Sequence, residues 1–233
     1  MRVRVAIALG FTAVSTLVLP ACSTSTSSTQ PSPSSSAYSS SPAASQQRET
    51  PLTSAELTTR LLDPSDLGSG FTRKPEGPAR HDDVAVLGCP ALNEMGGDAG
   101  TGGSLTFPRR AKATFTYGGS SDSELSEELY SDTVAILSDG TSRIFNAMTG
   151  CPKYQILSGD TPIDVSTQKT TVPQLGDEQW SQLLTFSFGG RNSVVKQTAI
   201  RKGGLLLVVS GSPALVGRHV ANALAKATAA GWH

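Results

Sequence analysis

Apolar positions change period several times along the chain, and each change marks an element. Val5 to Leu19 is a continuous apolar run of 15 residues behind Arg2 and Arg4. It falls short of the about 20 residues a spanning helix needs, so residues 1–21 read as an export signal peptide. Residues 23–50 lose all apolar period: twelve Ser, four Thr and three Pro fill them, with no charge before Arg48. Such a segment buries too little apolar surface to offset its ordering entropy. Helical spacing begins at Thr53-Ser54-Ala55-Glu56, a capping-box pattern followed by Leu57, Leu61 and Leu62, which predicts a helix over 53–62. Asp63-Pro64 predicts a brief helical turn at 64–67, stopped by Gly68 and Gly70, with Phe71–Lys74 as a strand. Residues 84–95 read as an apolar helical segment around Cys89, with Pro90 near its start. Gly96–Gly103, five glycines in eight residues, reads as a flexible loop.

Beyond Gly103 the period drops to two. Ala113, Phe115 and Tyr117 alternate with polar neighbours, as do Leu125, Glu127 and Leu129, so both segments are expected as strands. Val134, Leu137, Ile144, Phe145 and Met148 share a helical face ending near Gly150, with Asp139-Gly140 as a candidate break. Ile163–Val172 is extended. Trp180, Gln182, Leu184, Phe186 and Phe188 line one strand face, and Gly189-Gly190 turns the chain into Val194–Arg201. Gly203-Gly204 then turns it into the apolar Leu205–Ser210. Pro213 opens a last helix with Val216, Val220, Ala223, Leu224 and Ala227 on one face. Three strands joined by short glycine turns make an antiparallel meander. The expected class is α+β, an antiparallel sheet with helices packed on one face, within a domain over 51–233.

The end of the apolar leader changes where this domain is expected to sit. Leu19-Pro20-Ala21-Cys22 resembles the bacterial lipobox, in which the cysteine is acylated and becomes the mature N-terminus. Pro20 departs from the commoner residues at its position. The resemblance implies that Cys22 is a lipid anchor and that residues 22–50 are a disordered tether, with a reach of roughly 30 Å. It places the domain at the cell membrane, on the extracytoplasmic face. Cysteine parity agrees: of Cys22, Cys89 and Cys151, acylating the first leaves one pair able to form a disulfide in an oxidising compartment. Closing that loop would add about 4 kcal/mol of stability. Losing Arg2 and Arg4 with the leader leaves 17 basic against 19 acidic residues, a net charge of about −2. With no longer basic run than two residues and few aromatics, nucleic acid is excluded as the expected partner.

Candidate chemistry is sparse. His81-Asp82-Asp83 has no second cluster at metal-ligand spacing, His219 sits beside the apolar face of the last helix, and His233 is terminal. No metal or cofactor is expected. No Gly-x-Ser-x-Gly elbow occurs, and the 96–103 glycines lack the Lys-Ser/Thr of a phosphate loop. Asp177-Glu178 reads as a turn leading into a strand, where neighbouring side chains diverge. Arg109, Arg110 and Lys112 form the densest basic patch and read as a solvated strand end. Trp180 and Phe186 are the candidate ligand contacts, although a large aromatic on an apolar strand face, such as Trp180, more often belongs to the core.

Several segments in order resemble the PknH-like sensor-domain family of actinobacterial lipoproteins. They are Leu61–Leu67 (LLDPSDL), Gly88–Leu92 (GCPAL), Cys151–Tyr154 (CPKY), Leu175–Glu178 (LGDE), the Arg201–Gly204 turn and the Ala-rich last helix. The resemblance implies an antiparallel sheet flanked by helices, with a cleft for an unidentified ligand. The PknH domain itself carries two disulfides where this chain can form one. No kinase motif is present. The expected function is therefore a non-catalytic, membrane-anchored lipoprotein domain that binds a small molecule, a lipid or an envelope protein. Its cleft is expected to be walled by the Trp180–Arg201 strands and their neighbouring helix. The alternatives are a cell-envelope hydrolase and a purely structural envelope lipoprotein.

Overall fold

The computed structural model describes residues 50–76, 84–101 and 105–229. Cys22, the tether, His81–Asp83 and His233 lie outside them. The capping box forms as read: Thr53 Oγ1 accepts the Glu56 N–H at 3.2 Å, and Glu56 Oε2 accepts the Thr53 N–H at 2.7 Å. It starts helix α1 (Ser54–Arg60), which buries Leu57. Asp63 caps α2 (Pro64–Leu67) in the same reciprocal way with Asp66. Strand β1 (Phe71–Lys74) follows.

Residues 84–95 divide into two elements rather than one helix. Val84–Leu87 is strand β2, and α3 (Pro90–Met95) begins only after Cys89, because Pro90 favours the first helical position. Gly97–Thr101 is a short helix, α4, so this part of the glycine-rich segment is ordered rather than loop. Gly100 explains the composition: a Cβ there would lie 2.6 Å from Val86 Cγ2.

Strands β3 (Arg110–Tyr117) and β4 (Ser120–Ser131) form a hairpin. Helix α5 (Val134–Gly150) runs unbroken through Asp139-Gly140. Gly140 is there for packing, since a Cβ would come within 2.7 Å of the Phe107 ring. Strand β5 (Lys153–Ser158), not anticipated from the sequence, pairs with β6 (Thr161–Lys169). The meander β7 (Glu178–Phe188), β8 (Arg191–Lys202) and β9 (Leu205–Gly211) follows, and α6 (Pro213–Thr228) closes the chain. Gly189 and Gly190 sit at φ 55° and 75°, the left-handed backbone that a two-residue hairpin turn requires.

All nine strands join one antiparallel sheet in the order β1-β3-β4-β9-β8-β7-β6-β5-β2. The α+β class and the C-terminal meander are as expected. Helices, however, lie on both faces rather than one. Inward-facing Leu205, Leu207 and Val209 pack with α1 and α6 residues such as Leu57, Val216 and Ala223. The alternate Leu206 and Val208 pack with Leu137 and Phe145 of α5. Because β9 is apolar at every position from Leu205 to Val209, both of its faces need a cover.

The chain order decides how much of the second face is covered. Strand β4 ends near β9, but β5 lies beyond β6, so α5 must cross the sheet between them. It does so over the row Tyr130, Val208, Leu206 and Ala199. Its C-terminus is held by Thr167, whose hydroxyl donates to Met148 O at 2.8 Å. A disulfide joins Cys89, just before α3, to Cys151, just after α5, with the Cα atoms 5.8 Å apart. Residues of α3 and α4 cover β2, β5 and β6 through Leu92, Ala99, Val86 and Ile156. Among the described residues, none covers the remaining part of this face.

Candidate functional site

The open part is a cleft of about 1130 Å³, floored by the facing side chains of β3, β4, β9, β8 and β7 and bordered by Thr101 of α4. It is about twice the size of the hollow near Arg60 and Lys202 (about 590 Å³) and of that between α5 and Phe107 (about 540 Å³). Register explains its chemistry. Thr114 is opposite Ser126, Ser126 opposite Ser210, and Ser210 opposite Gln197, so one row of neutral hydrogen-bonding groups crosses four strands. Toward the β7–β8 turn the floor becomes apolar, with Leu184 opposite Val195, then Phe186 and Phe188, and Ile163 from β6.

Charge at the polar end is neutralised locally. Lys112 Nζ donates to Glu128 Oε1 at 2.7 Å, and the Tyr130 hydroxyl donates to Glu128 Oε2. The Leu105 N–H in turn donates to the Tyr130 hydroxyl at 2.9 Å, tying the 105–108 segment to β4. Burial, with the Glu128 charge beside it, raises the Tyr130 hydroxyl well above the usual tyrosine range. Glu124, also in the cleft, pairs with Lys74 at 3.0 Å. Among the described residues the lining holds no histidine or cysteine.

The candidates from the sequence separate. Phe186 lines the cleft; Trp180 does not, because it is half-buried beneath α5 with its ring stacked on Phe145 at 6.2 Å. The cleft floor also reaches well beyond the Trp180–Arg201 strands, to β9, β4 and β3. Asp177 and Glu178 do not diverge in effect. Asp177 precedes the strand, and both carboxylates meet the buried Arg201 guanidinium, at 3.1 and 2.8 Å. Arg201 holds Glu178 below the usual carboxylate range. Arg109 pairs with Asp132 at 3.5 Å, and Lys112 belongs to the cleft rather than to a solvated strand end.

His219 is buried edge-on to Phe71 at 5.2 Å, its Nε2 lacks a partner among the described residues, and burial lowers its pKa. No group of three or more metal-ligating side chains gathers among the described residues, and no described helix is long and apolar enough to cross a membrane. Sequence reasoning missed the polar row, although Thr114, Ser126 and Ser210 each fall at a strand position in register with the others.

A nine-stranded antiparallel sheet among the described residues, with helices on both faces, defines an α+β fold that a solved structure shares. The extracellular domain of PknH from Mycobacterium tuberculosis superposes with a TM-score of 0.56 at 12% identity, over 76% of this chain and 97% of that domain. A crystal structure of an uncharacterised protein from Mycobacterium smegmatis matches with a TM-score of 0.39 at 11% identity, over 71% of this chain and 93% of that one. No family model matches the sequence, and no curated protein matches it. The likeness to the PknH domain establishes the fold.

Proposed function

We propose that this chain is a lipid-anchored, extracytoplasmic, sensor-like domain that binds a ligand in the open cleft without transforming it. The observation that carries the reading is the bare stretch of sheet between α5 and the β7–β8 turn: about 1130 Å³ of concave surface with mixed polar and apolar lining. Binding sites concentrate in such concavities, where apolar contacts supply affinity and a few polar groups fix orientation. The PknH likeness supports the extracytoplasmic setting, and the Leu19–Cys22 motif supports the anchor.

The test is a thermal-shift screen of the purified protein against envelope lipids, glycans and metabolites. A ligand at a hundredfold excess over Kd stabilises by about 2.7 kcal/mol, which raises Tm by roughly 5–10 °C for a domain of this size. Ser210→Trp, which fills the floor of the cleft, should abolish that shift, whereas Lys153→Ala on exposed β5 should keep it. A screen with no shift, or a shift that survives Ser210→Trp, overturns the reading.

A further inference from the structure

We infer that the ligand of this cleft is a glycolipid-type amphiphile, with an uncharged sugar head on the β3–β4–β9 side and an apolar chain along β7–β8. The inference rests on the cleft being a binding site and concerns what it accepts. Its basis is the separation of chemistry across one sheet face. On one side, Thr114, Ser126, Ser210 and Gln197 stand in a single cross-strand row; the Thr114 and Ser126 hydroxyls lie 3.4 Å apart, and the buried Gln197 accepts from Gln182 Nε2 at 3.0 Å. Four strands at roughly 4.8 Å spacing give that row a length of about 14 Å. Hydroxyl and amide groups spaced in this way suit a polyhydroxylated partner, which both donates and accepts at each ring.

The charges argue against an ionic head at this end. Lys112 is held by Glu128 at 2.7 Å and Glu124 by Lys74 at 3.0 Å, so a head lying on the row meets paired charges of both signs. An anion would have to break the Lys112 pair, and a cation would compete with Lys112 or Lys74 for carboxylates already engaged. The cationic Arg191 stands at the opposite end, beside Phe188 at the turn.

The other side is built for a chain. Leu184 and Val195 face each other, and Phe186 and Phe188 continue the same face of β7. Phe188 is 58% exposed, an aromatic surface that water leaves unmatched. A free sugar would leave this half uncovered, and a simple fatty acid would bring the row one carboxylate, beside Glu124 and Glu128, in place of several hydroxyls. At about 1130 Å³ the cleft also exceeds the roughly 300–1,000 Å³ of sites for drug-sized ligands.

The test is calorimetric titration of the purified protein with octyl, decyl and dodecyl maltoside, each below its micelle concentration, beside maltose and dodecyl phosphate. One molecule should bind per chain, with affinity rising about tenfold for every two methylenes, because each buried methylene contributes a similar increment. Maltose alone and dodecyl phosphate should bind at least tenfold more weakly than dodecyl maltoside. Phe186→Ser should flatten the chain-length dependence. Phe188→Ser, at an exposed position that tolerates polarity, should reduce it and guards against a folding defect in the first variant. A flat chain-length series, equal or tighter binding of dodecyl phosphate, or a series unchanged in both variants overturns the inference. Maltose binding as tightly as its alkyl glycosides, and lost in Ser210→Trp, overturns the amphiphile while leaving the cleft as a site. Absence of binding by every probe also overturns the amphiphile, and the thermal screen then decides the cleft separately.

Discussion

Glu127 occupies the middle of an apolar stripe on β4, between Leu125 and Leu129, with all three side chains at 0% exposure. Its Oε2 accepts the Leu62 N–H at 2.7 Å, fastening the end of α1 to the sheet, while Oε1 has no partner among the described residues. Burial pushes its carboxyl up to about 7 from 4.5. Between those two values the folded chain holds a proton that the unfolded chain has released, so stability falls as pH rises, by about 3 kcal/mol in total. Buried His219 works in the opposite direction. Its folded pKa lies below the ordinary 6.5, so its contribution is present above 6.5 and is lost as pH falls. Glu127→Gln should therefore remove the downward slope and leave Tm flat or rising between pH 5 and 7.5. Thermal melts of both proteins across that range check this, and parallel profiles would refute it. Gly211 gives a second prediction at this scale. It sits at φ 141°, and a Cβ there would overlap the Glu124 carbonyl oxygen. Gly211→Ala should cost more than about 3 kcal/mol by denaturant unfolding, since strain and overlap combine; a loss under 1 kcal/mol would contradict the close approach of β9 and β4.

Among the elements, α5 has the most consequences, because its crossing divides one sheet face into a covered and an open part. The Cys89–Cys151 bond ties its C-terminal end to α3 across a sequence separation of 62 residues. In the chain-entropy account such a loop contributes about 4 kcal/mol. Cys89→Ser with Cys151→Ser should lower the unfolding free energy by about that amount, while thiol titration of the unaltered protein finds neither cysteine free. Two free thiols in protein prepared from an oxidising compartment would remove the bond. Much of this layer was legible beforehand. The capping box at Thr53, the turn at Pro64, the β7–β9 meander and the last helix carry strong local signals, and each formed within a few residues of its expected place. Strand β5 was missed because Lys153–Ser158 alternates over only a few residues and its apolar face is matched by a distant partner, β2. Gly140 looked like a helix break because the ring it accommodates, Phe107, lies 33 positions earlier in the chain. The polar row was illegible for the same reason. Thr114, Ser126, Gln197 and Ser210 are ordinary surface residues until register places them side by side. Local sequence specifies periods and turns, whereas the cleft is a product of which strands become neighbours.

At the scale of the whole molecule, the proposed lipid anchor would hold the cleft at a membrane surface. Pairing Cys89 with Cys151 leaves Cys22 as the odd thiol, placed directly after an apolar leader and before a Ser/Thr-rich segment. A diacylglyceryl group on that sulfur would add two chains, and two hydrophobic signals are what stable rather than transient anchoring takes. The proposed tether of 28 residues, with a reach of roughly 30 Å for a chain of its composition, would let the domain reorient above the headgroups. That freedom bears on the proposed ligand: an amphiphile could then be met at the bilayer surface, its head engaged by the polar row as its chain leaves the lipid. Cys22→Ala should move the protein from the membrane pellet to the soluble fraction, while the domain's Tm stays within about 1 °C of the parent, since a Ser/Thr-rich segment separates that position in sequence from the first helix. Fractionation in the native host, with high-salt washing to strip electrostatic adsorption, provides the measurement. A Cys22→Ala protein that pellets to the same extent after washing would show that something other than the lipid retains it, and the anchor would have to be sought in the domain itself.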